Sequence, residues 1–252
     1  MSLPSGLASH VNAFRLLASD RTVRRLATIP FLINVVLFMV GVPIAIWQVL
    51  RLVDGWLGEW SGAGEIVAVV LKIVAVIAVV FASLLLFALI GSIVAGPFSG
   101  PLSEAVEKVE RERRGLPPLP PESRGILTDV RRGVLYAIGR LLVFILIYPF
   151  IFLVNFIPVV GPPLHAALAF LYAAFVLSVD FSDPILDRKL DTFRRKLRYI
   201  LDRKPTYLGF GAGAFGLMFV PFLNLMMIPV CVVAATILYV EGEAEGDANA
   251  RV

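Results

Sequence analysis

Apolar positions in this chain fall in long runs, not in the short alternations of a soluble fold. Leu26 to Val53 is almost uninterrupted, and Ile66 to Phe98 carries Lys72 as its only charge. Two further blocks follow, Val134 to Phe181 and Tyr207 to Tyr239. About 20 apolar residues suffice to cross a hydrocarbon core of ~30 Å. At 1.5 Å of rise per residue the first run reaches roughly 42 Å as a helix, so it crosses with length to spare. The pattern predicts transmembrane helices over 20–53 and 66–98. Pro30 and Pro43 allow kinks in the first, and Ala88, Ser92 and Gly96 in the second have the spacing of helices that pack closely in lipid.

The segments between the runs set the orientation. The loop 54–65 holds Asp54, Glu59 and Glu65 and no Lys or Arg, and its Trp56 and Trp60 suit the headgroup level, so it faces away from the cytoplasm. Residues 5–18 place Leu7, Val11, Phe14, Leu17 and Ala18 opposite Ser9, Asn12 and Arg15. That pattern fits a short interfacial helix and equally a core-packed one. Residues 101–114 read as a soluble helix with Pro101 at its first position. Glu104–Lys108, Glu107–Arg111 and Glu110–Arg114 form i,i+4 pairs along it. The Pro-rich segment 115–125 is a stiff spacer, with a PxxP spacing that an SH3-like partner also reads.

The two later blocks are broken at their middles, at NFIPVVGPPL (155–164) and VPFLNLMMIP (220–229), and neither break holds a charge. A loop emerging into water is polar; an apolar, Pro-broken tip belongs inside the membrane under a cover of protein. Re-entrant hairpins are therefore expected over 134–181 and 207–240. The arm 207–219 is too short to cross, whereas 134–156 is long enough to traverse fully instead. Arg140 near the start of that arm snorkels. Between the blocks, Asp183 as N-cap and Pro184 as first residue open a basic amphipathic helix over 183–203. Its stripe is Leu186, Leu190, Phe193, Leu197 and Ile200. Arg188, Lys189, Arg194, Arg195, Lys196, Arg198, Arg203 and Lys204 place it at a cytoplasmic membrane surface. Residues 241–252 read as a disordered acidic tail. The fold class is an all-α integral membrane protein: two long transmembrane helices, two hemi-penetrating hairpins and amphipathic cytoplasmic helices.

Composition agrees. Of 252 residues 58% are hydrophobic and 17% charged, and mean hydropathy is +0.86. A soluble globule carries about 45–50% apolar and about 25% charged residues, and this chain in water would expose patches that aggregate. The net charge of +4 sits beside apolar runs, which is a membrane-edge pattern and not a nucleic-acid surface. Cys231 lies in an apolar run and reads as a small buried residue. His10 and His165 have no metal-ligand neighbours at suitable spacing, so neither a metal nor another cofactor is expected. No nucleotide-binding P-loop is present. No base partners Ser83, Ser92 or Cys231 in sequence, so no catalytic residue is assigned and an enzyme is not expected. The N-terminal segment lacks a signal-peptide pattern, and the first span is expected to remain as an anchor.

Four stretches carry a resemblance to a known family: DRTVRRLATIPFLINVVLF, AGPFSGPLSEAVEKVE, VDFSDPILDRK and GFGAGAFGLMFVPFLNLMMIPVCVVAATILY. In that order they resemble the CysZ sulfate permeases, part of a wider etoposide-induced-protein-like membrane family. The resemblance implies a homo-oligomer of the bacterial inner membrane that admits sulfate for cysteine synthesis. It also implies sulfate binding at a Gly-Leu-Arg-Arg-like motif, whose positions here are Thr22, Val23, Arg24 and Arg25. Both arginines are kept; threonine replaces the glycine and valine the leucine. The arginines either bind the anion or anchor the span at lipid headgroups. The resemblance places Glu104, Glu107 and Arg111 near the pore, as a gating or charge-balancing network, where ordinary surface pairing is the alternative. Asn34, Asn155 and Asn224 either serve the path or satisfy backbone groups freed by nearby prolines. The competing function is a membrane scaffold that uses the basic helix and the spacer.

Overall fold

The computed structural model describes residues 2–57, 63–118, 144–190, 192–218 and 221–250, and all its regular structure is helical. The helices are α1 (Leu3–Ser19), α2 (Arg21–Leu57), α3 (Ala63–Arg113), α4 (144–153), α5 (Gly161–Lys189), α6 (Phe193–Asp202), α7 (Lys204–Met218) and α8 (Pro221–Ala250). A 3-10 turn, Val154–Phe156, follows α4. Outside the described residues lie most of the Pro-rich spacer, Arg140 and the centre of the loop 54–65. So do the break at 219–220 and the side chains of Asn34, Asn224, Ala88, Ser92 and Gly96.

The chain divides into two compact units, Arg25–Phe98 and a second made of Met1–Arg24 with Ser99–Val252. The Arg25–Phe98 unit is two long helical stretches, and many of its described apolar side chains face outward. Leu32, Val36, Met39, Trp47, Val69, Val74 and Ile77 are each about half exposed or more. Water would not tolerate such a surface, whereas lipid matches it.

In the other unit α8 is the centre. Val230, Cys231, Val233, Ala234, Ala235, Leu238 and Val240 are fully buried. A helix apolar on every side must be wrapped, and α1, α5 and α7 wrap it. Backbones approach closely where side chains are small. A Cβ at Gly211 would collide with the carbonyl of Ala174 on α5, and one at Gly209 with the carbonyl of Leu3 on α1. The Ser178 hydroxyl, which bonds the carbonyl of Ala174 at 2.8 Å and that of Tyr207, ties α5 to α7. Among the described residues two helices are long and apolar enough to cross a membrane, Gly161–Lys189 and Met226–Gly246.

The structure differs from the sequence expectations at several points. The apolar stripe of α1 divides in the structure: Leu7 is 43% and Val11 51% exposed, while Leu17 is buried. The buried face is Gly6, Ser9, His10, Ala13, Leu16 and Leu17, because small residues let α1 lie directly on the glycines of α7. No new helix opens at Pro101, since α3 runs through it. The basic helix expected over 183–203 is two helices. Pro184 lies inside α5, the chain breaks at Leu190, and α6 starts after Thr192. The acidic tail continues α8 as far as Ala250, where its carboxylates meet arginines of α3.

The break at 154–161 is a tight turn. Gly161 N–H donates to Ile157 O at 2.9 Å, and a Cβ on Gly161 would meet Val154 O at 2.6 Å. Val159 adopts a φ of 66°. The tip is apolar and open, with Phe156 70% and Val159 91% exposed.

Candidate functional site

Residues 22–25, the positions expected from the resemblance to bind an anion, lie where α1 hands over to α2. Asp20 is the single extended residue between them (φ −100°, ψ 123°), and its N–H closes α1 on Leu16 O at 2.8 Å. Its carboxylate then caps α2, with Oδ1 accepting from the N–H of Thr22 at 2.8 Å and of Val23 at 2.9 Å. An aspartate here satisfies the open donors at the positive end of the helix. The N–H of Arg24 goes to Asp20 O at 3.1 Å.

Thr22, Arg24 and Arg25 are exposed, while Val23 is fully buried. The Arg24 guanidinium folds back, with Nη1 donating to Ala18 O at 3.0 Å. Val23 thus fixes the rotation of the first turn, and two arginine heads stand in the open at its surface. Backbone donors at the Gly-Leu-like positions exist here, but Asp20 already holds them. A cap carboxylate is itself an anion on those donors.

A second charged cluster joins the end of α3 to α5 and α8. Glu107 is fully buried. Its Oε2 accepts from Arg188 Nη2 at 2.8 Å, and its Oε1 lies 2.7 Å from Lys189 Nζ and 3.6 Å from Arg111 Nη1. Arg111 reaches on to Glu243 Oε2 at 2.5 Å and donates from Nε to Pro117 O at 2.8 Å. Arg188 also donates to Ser103 Oγ at 3.1 Å, and Ser103 pairs with Thr236 Oγ1 at 3.0 Å. Three cations therefore surround two carboxylates. Nearby, Arg114 bridges Glu110 at 3.3 Å and Glu241 at 2.8 Å.

Of the three residues assigned to this network from sequence, Glu107 and Arg111 meet there, and Glu104 points to the exposed side of α3. The sequence reading missed Arg188, Lys189 and Glu243, counting the first two as part of a lipid-facing surface and the third as disordered. The one signal for Glu243 was charge complementarity between the arginines at 111–114 and the glutamates at 241–245.

Two further polar elements surround the core. Lys196, 3% exposed, is clamped by Asp183 at 2.8 Å and Asp187 at 2.7 Å, which locks α6 onto the end of α5. Tyr199 carries the Arg203 guanidinium 4.1 Å from its ring centre. Burial raises the Tyr199 hydroxyl above the ordinary phenol range, against the opposing charge of Arg203. His10 stacks on Phe210 at 5.0 Å, and burial lowers its pKa from the ordinary imidazole value. Among the described residues no cluster of His, Cys, Asp and Glu could hold a metal ion.

Residues 9–229 match the family described as Sulfate transporter CysZ/Etoposide-induced protein 2.4. That span takes in both arginines of α2, the Glu107 cluster as far as Arg188 and Lys189, and most of the helical core. The chain, with two helices long and apolar enough to cross a bilayer among its described residues, is a membrane protein and belongs to the Sulfate transporter CysZ/Etoposide-induced protein 2.4 family.

Proposed function

We propose that this protein is a sulfate permease of the bacterial inner membrane, supplying sulfate for cysteine synthesis through a route built from several copies of the chain. The observation that carries this reading is the pair of exposed arginines, Arg24 and Arg25, at the start of α2 in a family of sulfate transporters. Sulfate is a strongly hydrated dianion, and its path must replace that water with donors yet release the ion. Guanidinium forks match its oxygens in pairs.

The Asp20 cap shapes the chemistry. An anion cannot use the N–H groups of Thr22 and Val23 without displacing the carboxylate. Sulfate therefore rests on the arginine side chains and feels a like charge beside it, which favours weak, fast binding. The Pro-broken segments act as re-entrant hairpins, supported by the open apolar tip at 156–160. The Glu107 cluster balances charge at the inner end and keeps its carboxylates from repelling the anion.

Flux of labelled sulfate into liposomes tests the reading. The wild-type chain is expected to exceed empty vesicles. Arg24→Ala/Arg25→Ala is expected to abolish both flux and calorimetric sulfate binding while the protein stays folded. A scaffold protein would give no flux at all, and unchanged affinity in the double variant would remove the arginines from the site.

A further inference from the structure

The basic segment around α6 contains eight cations in sequence, and the structure sorts them. Arg188 and Lys189 are committed to buried Glu107, Lys196 to Asp183 and Asp187, and Arg203 stacks on Tyr199. Arg194, Arg195, Arg198 and Lys204 have exposed side chains. Arg194, Arg198 and Leu201 follow one another at i, i+4 and i+7, with Arg195 beside them, while buried Lys196 and Ile200 occupy the opposite side of the helix. The double-aspartate clamp on Lys196 sets this rotation. Leu201 is 46% exposed one turn beyond Arg198, at the edge of the arginines, an expensive placement in water. Asp202 is the one exposed acid on α6.

The position of α6 identifies what meets this face. Three residues separate it from Lys189, the last residue of a helix able to cross the membrane. The four steps from Lys189 to Phe193 reach at most about 14 Å, so α6 stays close to the level of the lipid headgroups. Arginine forks pair with phosphate oxygens, and an apolar side chain among them enters the acyl boundary.

We propose that the outer face of α6 is a binding surface for the phosphate groups of anionic phospholipids, held by Arg194, Arg195 and Arg198 with Leu201 inserted into the acyl boundary beside them. This surface is independent of sulfate passage. It draws anionic lipid to the cytoplasmic edge of the protein and orients the clamp that ends α5.

The test uses the full-length protein in neutral detergent, titrated with phosphatidylglycerol or with phosphatidylcholine of the same acyl chains, bound lipid being counted by native mass spectrometry. Phosphatidylglycerol is expected to bind preferentially and to weaken with added salt. Arg194→Gln/Arg195→Gln/Arg198→Gln is expected to lower its affinity on the order of a hundredfold, roughly fivefold for each arginine. Arg194→Lys/Arg195→Lys/Arg198→Lys should keep most of it, and this charge-preserving variant decides the matter if the glutamine variant fails to fold. Equal binding of the two lipids by wild type, or wild-type affinity in a folded glutamine variant, overturns the proposal. Displacement by millimolar inorganic phosphate would make the surface a site for soluble anions, and equal affinity for polyglutamate a site for acidic proteins. Either result also overturns it.

Discussion

Asp20 does at residue scale what a bound anion would do, filling the two donors that open α2. Asparagine caps a helix as well as aspartate and carries no charge. Asp20→Asn should therefore leave the melting temperature nearly unchanged and raise sulfate affinity severalfold in calorimetry, by relieving a like charge at the helix end. An affinity equal to or below wild type would place the anion elsewhere. Glu107 and Glu104 give the opposite contrast on one helix. Glu107→Ala strands buried cations and should cost about 3–5 kcal/mol in denaturant unfolding. Glu104→Ala, on the exposed side, should stay within about 0.5 kcal/mol. At the hairpin tip a β-branched residue sits at φ 66°, a conformation that costs about 1–3 kcal/mol. Val159→Gly should therefore stabilise the fold by about 1 kcal/mol, after the extra freedom of glycine in the unfolded chain is subtracted.

At the scale of elements the sequence was legible where burial follows volume and silent where it follows closeness. Long apolar runs announced the helices around 26–53, 66–98 and 207–239. The face of α1 could not be read that way, because Leu7 and Val11 turn outward while Gly6, Ser9 and Ala13 turn inward beside Leu16 and Leu17. Prolines misled for a similar reason. Pro101 and Pro184 look like helix starts, yet each removes one hydrogen bond from a helix held by tertiary packing, and the helices continue. Burial in the α1–α7 contact also makes it sensitive to acid. His10 meets Phe210, Gly213 and the carbonyl of Leu7, with no charged group acting on it. Its lowered pKa means that the unfolded chain takes up the proton first. Stability is thus complete above the ordinary imidazole value of about 6.5 and falls as pH drops below it. The protection of α1 amides, taken relative to their intrinsic exchange rate at each pH, should fall as pH drops below about 6.5 in wild type, and His10→Phe should flatten that dependence. An equal loss of protection in the variant would show that another group carries it.

For the whole molecule, hydropathy revealed the membrane class and the residue motifs revealed the family. The assembly of the charged cluster stayed hidden, because Glu107, Arg188 and Glu243 come from three distant parts of the chain and only folding brings them together. The packing of α1 against both α7 and α8 has its own consequence. Residues 3–19 are made long before residues 204–250, so α1 finds its seat only when those later helices emerge. Until then it waits with its glycine and histidine face uncovered, and this packing forms late relative to the synthesis of α1. A chain cut short before α8 should therefore be handed to proteases whole, however well its early spans are inserted.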